Sequence, residues 1–382
     1  MRVAVTKGTL RVPPTYFAIQ HAVAMRDAHH FRFFTGAAEI GDPASLTGLE
    51  VDDASARIPV LASRPYATRD WVAPYLTGVT ARALMEWRPH VIHQHFATLS
   101  GAAVRAHRAT GAPMILTVHG ADVYVPLTPL ESVRGIARAR LAVHQNGVSR
   151  AFSSAARVLA VSHYLADRVV AAGADPKRVV VHYQGIDTDR YQPLRGVQPE
   201  QPRIVFVGAL SERKGVRDLV SQSIRLHRSM PHRLALVGDG PLRSEVERAA
   251  HEHPHIDVHG ALTQDQVREV LARSTALALP TRRHGQWREA AGLVTLEAQA
   301  MGVPVVVYDS GGAKEMIDDG VTGLVVREGD VDALGEALAS LLELSEHEHA
   351  AIGARARDFV VQHRSLAGSA QQLSDHYEEI TR

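Results

Sequence analysis

The chain contains no cysteine, so disulfides, thiolate metal ligands and cysteine nucleophiles are excluded outright. Lysine is almost as scarce. Lys7, Lys177, Lys214 and Lys314 are the only lysines among 42 basic residues, and each is correspondingly informative. Aromatic residues make up only 5%. No apolar run approaches the roughly 18 residues that a spanning helix needs. The start, MRVAVTKGTL, reads directly as a strand rather than a signal peptide. A cytoplasmic protein is therefore expected, with peripheral contact at the inner face of a membrane as an open addition. Gly-x-Ser-x-Gly is missing, which removes the support for a serine hydrolase. GxGxxG after a first strand and a Walker A loop are missing too, which does the same for dehydrogenases and P-loop kinases.

What is present is globular: 382 residues, 45% apolar and 22% charged. That length favours two domains. The net charge of +1 argues against nucleic acid as a partner, yet it hides a division. Residues 1–200 carry 22 basic against 15 acidic side chains, a balance of +7, and residues 201–382 carry 20 against 26, a balance of −6. Short β-branched runs alternate with helical periods in both halves, the pattern of parallel βα units. The first half has strands at Arg2–Val5, Phe31–Phe34, His90–His95, Pro113–Val118, Val158–Ser162 and Val179–Tyr183. The second starts afresh at Arg203–Val207 and continues through Arg233–Val237, Ile256–His259, Ala276–Leu279, Val303–Tyr308 and Gly323–Val326. The Pro-bearing stretch Asp187–Pro202, with Pro193 and Pro199, is the expected linker. The fold class is α/β, two Rossmann-like doubly wound domains facing across a cleft, which is where such sheets bind ligands.

Several segments carry candidate chemistry. In Glu289-Ala-Ala-Gly292-Leu293-Val294-Thr-Leu-Glu297 two carboxylates flank an expected helix start at 292. The amides of Gly292, Leu293 and Val294 would point out of that terminus as an anion site for a diphosphate. Glu297 would sit a turn and a half further in, where it can accept from a diol such as a ribose. Gly208-Ala-Leu-Ser-Glu-Arg213-Lys214-Gly215 is a glycine-bearing loop with adjacent cations, suited to phosphate. His119-Gly120-Ala-Asp122 ends a strand. The histidine contacts a sugar or is structural, and Asp122 orients it or caps the next turn. Thr6-Lys7-Gly8-Thr9 is expected to end the first strand as a loop over the cleft, with Lys7 either a phosphate contact or solvated. Gly238-Asp239-Gly240-Pro241 is a nucleotide loop or a structural turn. Histidines are many, at 22, but without cysteine or His/carboxylate convergence no metal site is expected. Val133–Ala142 holds Arg134, Arg138 and Arg140 among apolar residues, either a solvated basic face or a contact for an anionic membrane or acceptor.

The run Glu289–Pro304, with Gly311-Gly312-Ala-Lys-Glu315 and Gly320-Val-Thr-Gly323, resembles the signature of retaining GT-B glycosyltransferases of family 4. His95-Phe96-Ala97 and His119–Asp122 are similar to the branch that builds exopolysaccharides such as colanic acid. The resemblance implies a sugar-nucleotide donor, UDP above all. It also implies an acceptor hydroxyl on a polysaccharide, lipid-linked sugar or small natural product, with no metal or other cofactor. It assigns 1–190 to the acceptor and 200–366 to the donor, with a terminal helix of about 367–382 packing back on the first domain. It casts His119, Glu289 and Lys214 as catalytic, and Gly8, Gly208, Arg213, Lys214, Gly292, Leu293, Val294 and Glu297 as donor-binding. Glu289 would bond the sugar hydroxyls, Glu297 the ribose, Lys214 the diphosphate, and His119 the sugar near its anomeric carbon. Ala209 departs from the family, which often has Arg there; Arg213 is the candidate replacement. Sugar-nucleotide 2-epimerases of the same fold and non-catalytic sugar-nucleotide binders are the alternatives.

Overall fold

Two all-parallel sheets are formed by the described residues of the computed structural model, which are 1–13, 16–194, 196, 197 and 201–382. Pro199 of the expected linker and Glu200, the expected first residue of the second domain, lie outside them, as does the side chain of Arg140. The chain divides into a first unit, Met1–Gln184 with Leu366–Arg382, and a second, Gly185–Ser365.

The first sheet comprises β1 (Arg2–Val12), β2 (His30–Ile40), β3 (Glu50–Asp53), β4 (Val91–His95), β5 (Met114–Val118), β6 (Arg157–Ala160) and β7 (Val179–Val181). Its order is β3-β2-β1-β4-β5-β6-β7. The chain reverses direction of travel across the sheet between β1 and β4, the point at which such sheets present ligand-binding loops. Every residue of β4 and β5 is buried, as expected of parallel strands covered on both faces.

β1 corrects one expectation. Thr6–Thr9 is not a loop, because the strand runs on to Val12, paired with β2 from Arg2↔His30 to Val12↔Ile40. Burial of Leu10 and Val12, each 1% exposed, holds that extension in place. β3 has no apolar run to announce it. Its Asp53 carboxylate instead accepts the amides of Ala38 and Ser55 and pairs with Arg69 at 2.6 Å. The basic stretch Val133–Ala142 leads into a 20-residue helix, Gly135–Ser154.

The C-terminal helix Leu366–Thr381 belongs to the first unit, where Leu373 and Tyr377 join the core of Val3, Val5, Ile19 and Phe33. Its apolar residues at helical spacing give it one face to bury, and this unit supplies the partner surface.

The second sheet comprises β8 (Arg203–Val207), β9 (Arg233–Val237), β10 (Ile256–Gly260), β11 (Ala276–Leu279), β12 (Val305–Tyr308) and β13 (Gly323–Val326), in the order β10-β9-β8-β11-β12-β13. The reversal here falls between β8 and β11. The stretch Gly185–Leu194, most of it expected as linker, is packed into this unit. The Ile186 amide donates to the Arg364 carbonyl at 3.0 Å, the Arg357 guanidinium donates to the Tyr191 carbonyl at 3.0 Å, and Tyr191 is 3% exposed.

Candidate functional site

The second unit gathers its candidate residues around the ends of β8 and β11. After β8 the chain passes Gly208 and turns through Glu212–Lys214 into the helix Val216–His227. Gly215 is required at that corner. Its φ is +68°, and a Cβ would lie 1.9 Å from the Pro280 carbonyl oxygen at the end of β11. The close approach brings Lys214 against the loop after β11. There its Nζ forms an ion pair with Oε2 of Glu289. Thr281 Oγ1 donates to the same oxygen at 3.2 Å. Both charged side chains are largely buried, and the pair is what makes that burial tolerable. Oε1 of Glu289 accepts from none of the described residues.

Two flanking glycines fix the main chain of Glu289. The Gly312 amide donates to the Glu289 carbonyl at 2.9 Å, and a Cβ on Gly311 would meet that carbonyl oxygen at 2.2 Å. The Gly311-Gly312 pair thus clasps the loop bearing the carboxylate. Gly292 caps the helix Leu293–Ala300, whose first-turn amides have no carbonyl four residues back to bond. A Cβ on Gly292 would lie 3.6 Å from Cγ of Glu289, so helix terminus and carboxylate are neighbours. The structure therefore brings together Gly208, Arg213, Lys214, Glu289, Gly292, Leu293 and Val294 on one end of one sheet. The Gly238–Pro241 turn sits beneath this loop, since a Cβ on Gly238 would lie 1.9 Å from the Gly208 carbonyl oxygen.

Arg213 lies with its guanidinium 4.6 Å from the centre of the Trp287 ring, a cation–π arrangement that holds the arginine beside Lys214. Glu297 lies near the Tyr191 hydroxyl, and burial pushes its carboxyl up to about 7, with Tyr191 and Arg190 opposing the rise. Trp287, Thr281 and Tyr191 were not singled out from sequence. Trp287 is one of three tryptophans and stands two residues before Glu289, which is the one signal that was available. Tyr191 lies in a stretch read as linker and offered none.

His119 and Gly8 belong to the first unit. His119 follows β5, and both its ring nitrogens are engaged: Nδ1 accepts from the Gln184 amide at 3.0 Å, and Nε2 meets His95 Nδ1 at 3.1 Å. With Nδ1 accepting, the proton sits on Nε2 and is donated to His95. Phe17 and Phe96 flank the ring at 4.4 and 4.5 Å between centroids. Asp122 accepts the amides of Ala97, His119 and Gly120, so it ties the loop after β4 to the loop after β5. Burial raises its carboxyl, and the backbone donors oppose this.

His119 is one end of a histidine cluster. His93 bonds Tyr377 at 2.6 Å and Thr117 at 2.7 Å, and its ring centre lies 4.2 Å from that of His95. His21 and His182 both bond Ser369. Burial first, and then the neighbouring imidazoles, hold His93, His95, His119 and His182 well below the ordinary 6.5, and burial alone takes His21 to about 4. The cluster is neutral at pH 7. Lys7 donates from Nζ to the Thr9 carbonyl at 2.7 Å and lies 5.4 Å from the Phe96 ring centre; burial lowers its pKa. Gly8 has a packing reason: a Cβ there would lie 2.5 Å from Leu99 Cβ. Among the described residues no group of three or more His, Asp or Glu is placed to hold a metal ion.

Comparison with known proteins adds to this geometry. Residues 17–190 match the family model described as Glycosyltransferase Family 4, and residues 201–344 match the model described as Glycosyl transferases group 1. The chain is 30% identical to an alpha-maltose-1-phosphate synthase of Mycobacterium tuberculosis over 76% of this chain and 79% of that protein. It is 29% identical to a GDP-mannose-dependent alpha-(1-6)-phosphatidylinositol monomannoside mannosyltransferase of the same organism, over 73% of each chain. Among solved structures, Anabaena Alr3699/HepE in complex with UDP and glucose superposes with a TM-score of 0.75 at 19% identity, covering 99% of this chain and 100% of that one. Sucrose-phosphate synthase of Thermosynechococcus elongatus gives 0.76 at 17%, covering 100% and 99%. The fold is the GT-B arrangement of two Rossmann-like α/β domains.

Proposed function

This chain belongs to the glycosyltransferases described by the group 1 and family 4 models, and on that premise we propose that it moves a sugar from a nucleoside-diphosphate sugar to an acceptor hydroxyl with retention of configuration. The observation that carries the site assignment is the Lys214–Glu289 pair set against the Gly292 helix terminus. Breaking the bond between the anomeric carbon and the diphosphate leaves two negative charges developing on the leaving group. Lys214, Arg213 and the amides of Leu293 and Val294 supply fixed positive charge and dipoles for it, with no metal in the scheme. Glu289 keeps Oε2 on the protein and offers Oε1 to sugar hydroxyls. Glu297 takes the ribose.

In the front-face route the acceptor oxygen bonds the anomeric carbon on the side that the diphosphate leaves, and the acceptor proton passes to a leaving phosphate oxygen. No enzyme-bound intermediate forms. Contact between His119 and the donor sugar requires exchange of its Gln184 or His95 hydrogen bond for one to the sugar. The uridine donor expected from the family has a rival in guanosine, because the mycobacterial mannosyltransferase takes GDP-mannose by name. A thermal-shift panel of UDP-, GDP-, ADP- and dTDP-sugars ranks the donors, since a ligand that binds only the native state raises the melting temperature. Incubation with the best donor then separates the readings. Transfer or slow hydrolysis to sugar of retained anomeric configuration, undiminished by EDTA, supports the proposal. A free epimerised sugar supports an epimerase instead, and binding without turnover a silent binder.

A further inference from the structure

Apart from the candidate site, the first unit carries a cavity of about 870 Å³ between the helices Tyr66–Val72, Gly101–Thr110 and Gly135–Ser154. Its wall is apolar, with Leu99, Val104 and Val143 among the lining residues. At its rim Trp71 and Tyr75 are 70% and 76% exposed, with their rings 6.3 Å apart, and Val143 is 71% exposed. Three large apolar side chains left in water beside one cavity mark a surface that meets something apolar. Tryptophan and tyrosine are the residues suited to a boundary between an apolar phase and water.

The charge on the same cavity is of one sign. Arg105, Arg108 and Arg150 line it, and none of the described lining residues is acidic. Arg105 and Arg108, three apart on one helix, share a face. Some arginines of this unit are matched by carboxylates, as in Arg11–Glu39, Arg57–Asp52, Arg69–Asp53 and Arg157–Glu379, and others, such as Arg26, Arg64 and Arg82, are in no ion pair among the described residues, so it is the grouping of three beside one apolar wall that sets the cavity apart. Arg105, Arg108 and Arg150 have no such partner among the described residues. Guanidinium groups left unmatched beside an apolar wall suit a ligand that is anionic at one end and apolar at the other. A free phosphate or nucleotide would use the cations and leave the apolar wall and the exposed aromatics unexplained.

We propose that this cavity binds a phosphate-bearing membrane lipid, its hydrocarbon chain against Leu99, Val104 and Val143 and its phosphate on Arg105, Arg108 and Arg150. On the transferase reading such a lipid is the acceptor or carries it; that clause rests on the reading, and the binding itself does not.

The test is co-sedimentation of the full chain with vesicles of equimolar phosphatidylcholine and phosphatidylglycerol, set beside vesicles of phosphatidylcholine alone. The protein is expected on the anionic vesicles and in the supernatant with the neutral ones. The triple variant Arg105→Gln/Arg108→Gln/Arg150→Gln is expected to bind about a hundredfold more weakly, three cations each acting near an anionic surface. Trp71→Ser/Tyr75→Ser, which keeps the charge, is expected to lose binding several-fold. Tryptophan emission is expected to shift to the blue on the anionic vesicles and to lose that shift in Trp71→Phe. All these positions are exposed at the rim or on a helix face, so unchanged melting temperatures are expected to verify the fold. Equal binding to both vesicles, no binding to either, or full binding by the triple variant overturns the proposal. Donor hydrolysis is measured on the same variants: its persistence alongside lost vesicle binding leaves the transferase reading standing, and its absence in wild type counts against that reading alone.

Discussion

The two units solve opposite electrostatic problems. The C-terminal half has a net balance of −6, yet its candidate site displays Lys214, Arg213 and a helix N-terminus. The N-terminal half has a balance of +7, yet the group it places after β4 and β5 is a set of uncharged imidazoles. Net charge therefore says little about a site, because a site is set by the few groups within about a Debye length, roughly 8–10 Å. The second unit handles charge by pairing: Glu289 is buried because Lys214 accompanies it. After β4 and β5 the first handles it by suppression: burial and mutual proximity keep His93, His95 and His119 neutral.

The largest effect expected on this contrast comes from unpairing the second unit. Lys214→Ala removes the cation facing the leaving group and leaves the Glu289 carboxylate without its ion. Turnover is expected to fall by about a thousandfold, and stability by roughly 1–3 kcal/mol. Glu289→Gln is expected to cost turnover by about the same factor, and the double variant little more than either single one, because the pair acts as a unit. Steady-state kinetics with a melting curve for each variant reads both quantities; strictly additive losses would show that the two residues act separately.

Acid probes the first unit next. The clustered His21, His93, His95, His119 and His182 have folded-state pKa values below the ordinary 6.5, so in the window between the two values the unfolded chain binds more protons than the folded one. Stability therefore rises with pH through that window and is lost as pH falls below about 6.5, at about 1 kcal/mol for each histidine that must charge. Hydrogen exchange resolved by strand is expected to show β4 and β5 losing protection from about pH 7 to about pH 5. Equal loss in β8 and β11 would erase the distinction between the units.

How much of this was legible follows from what generates a pattern. Strand positions and both sheets could be read because buried parallel strands are runs such as Ile204–Val207 and Val305–Val307. The glycines at 215, 292 and 311 could be read because a close approach forces the residue type. β3 could not, since Glu50–Asp53 offers only Val51 as an apolar residue, and its Asp53 is held by side-chain bonds to backbone amides and arginine. Nor could the role of Tyr191, which depends on a partner over a hundred residues away. The loop expected at Thr6–Thr9 failed for a third reason. Lys7-Gly8 looks like a turn, but the packing of Leu10 and Val12 overrides local propensity.

Gly8 turns that correction into a measurement. A methyl group there would collide with Leu99 Cβ, which cannot rotate away. Gly8→Ala is expected to lower stability by about 2 kcal/mol while leaving the donor KM unchanged. A raised donor KM at unchanged melting temperature would restore Gly8 to the donor site and detach it from packing.

The smallest effect sharpens the contrast most, because it runs against the histidines in sign. The Glu297 carboxyl sits at about 7, above the ordinary 4.5, so between those values the folded chain holds the extra proton. This group's contribution to stability therefore declines as pH rises from about 4.5 to about 7. A ribose diol donates hydrogen bonds and prefers the ionised carboxylate. Donor binding through Glu297 must consequently strengthen as pH rises through 7, by about tenfold from pH 6 to pH 8. The titration of donor phosphates and of other groups is common to wild type and Glu297→Gln, so the difference between their pH profiles isolates this carboxyl. The variant is expected to bind the donor several-fold more weakly at pH 8, to match wild type near pH 6, and to lose the slope between. Identical slopes in the two proteins would remove Glu297 from the donor site.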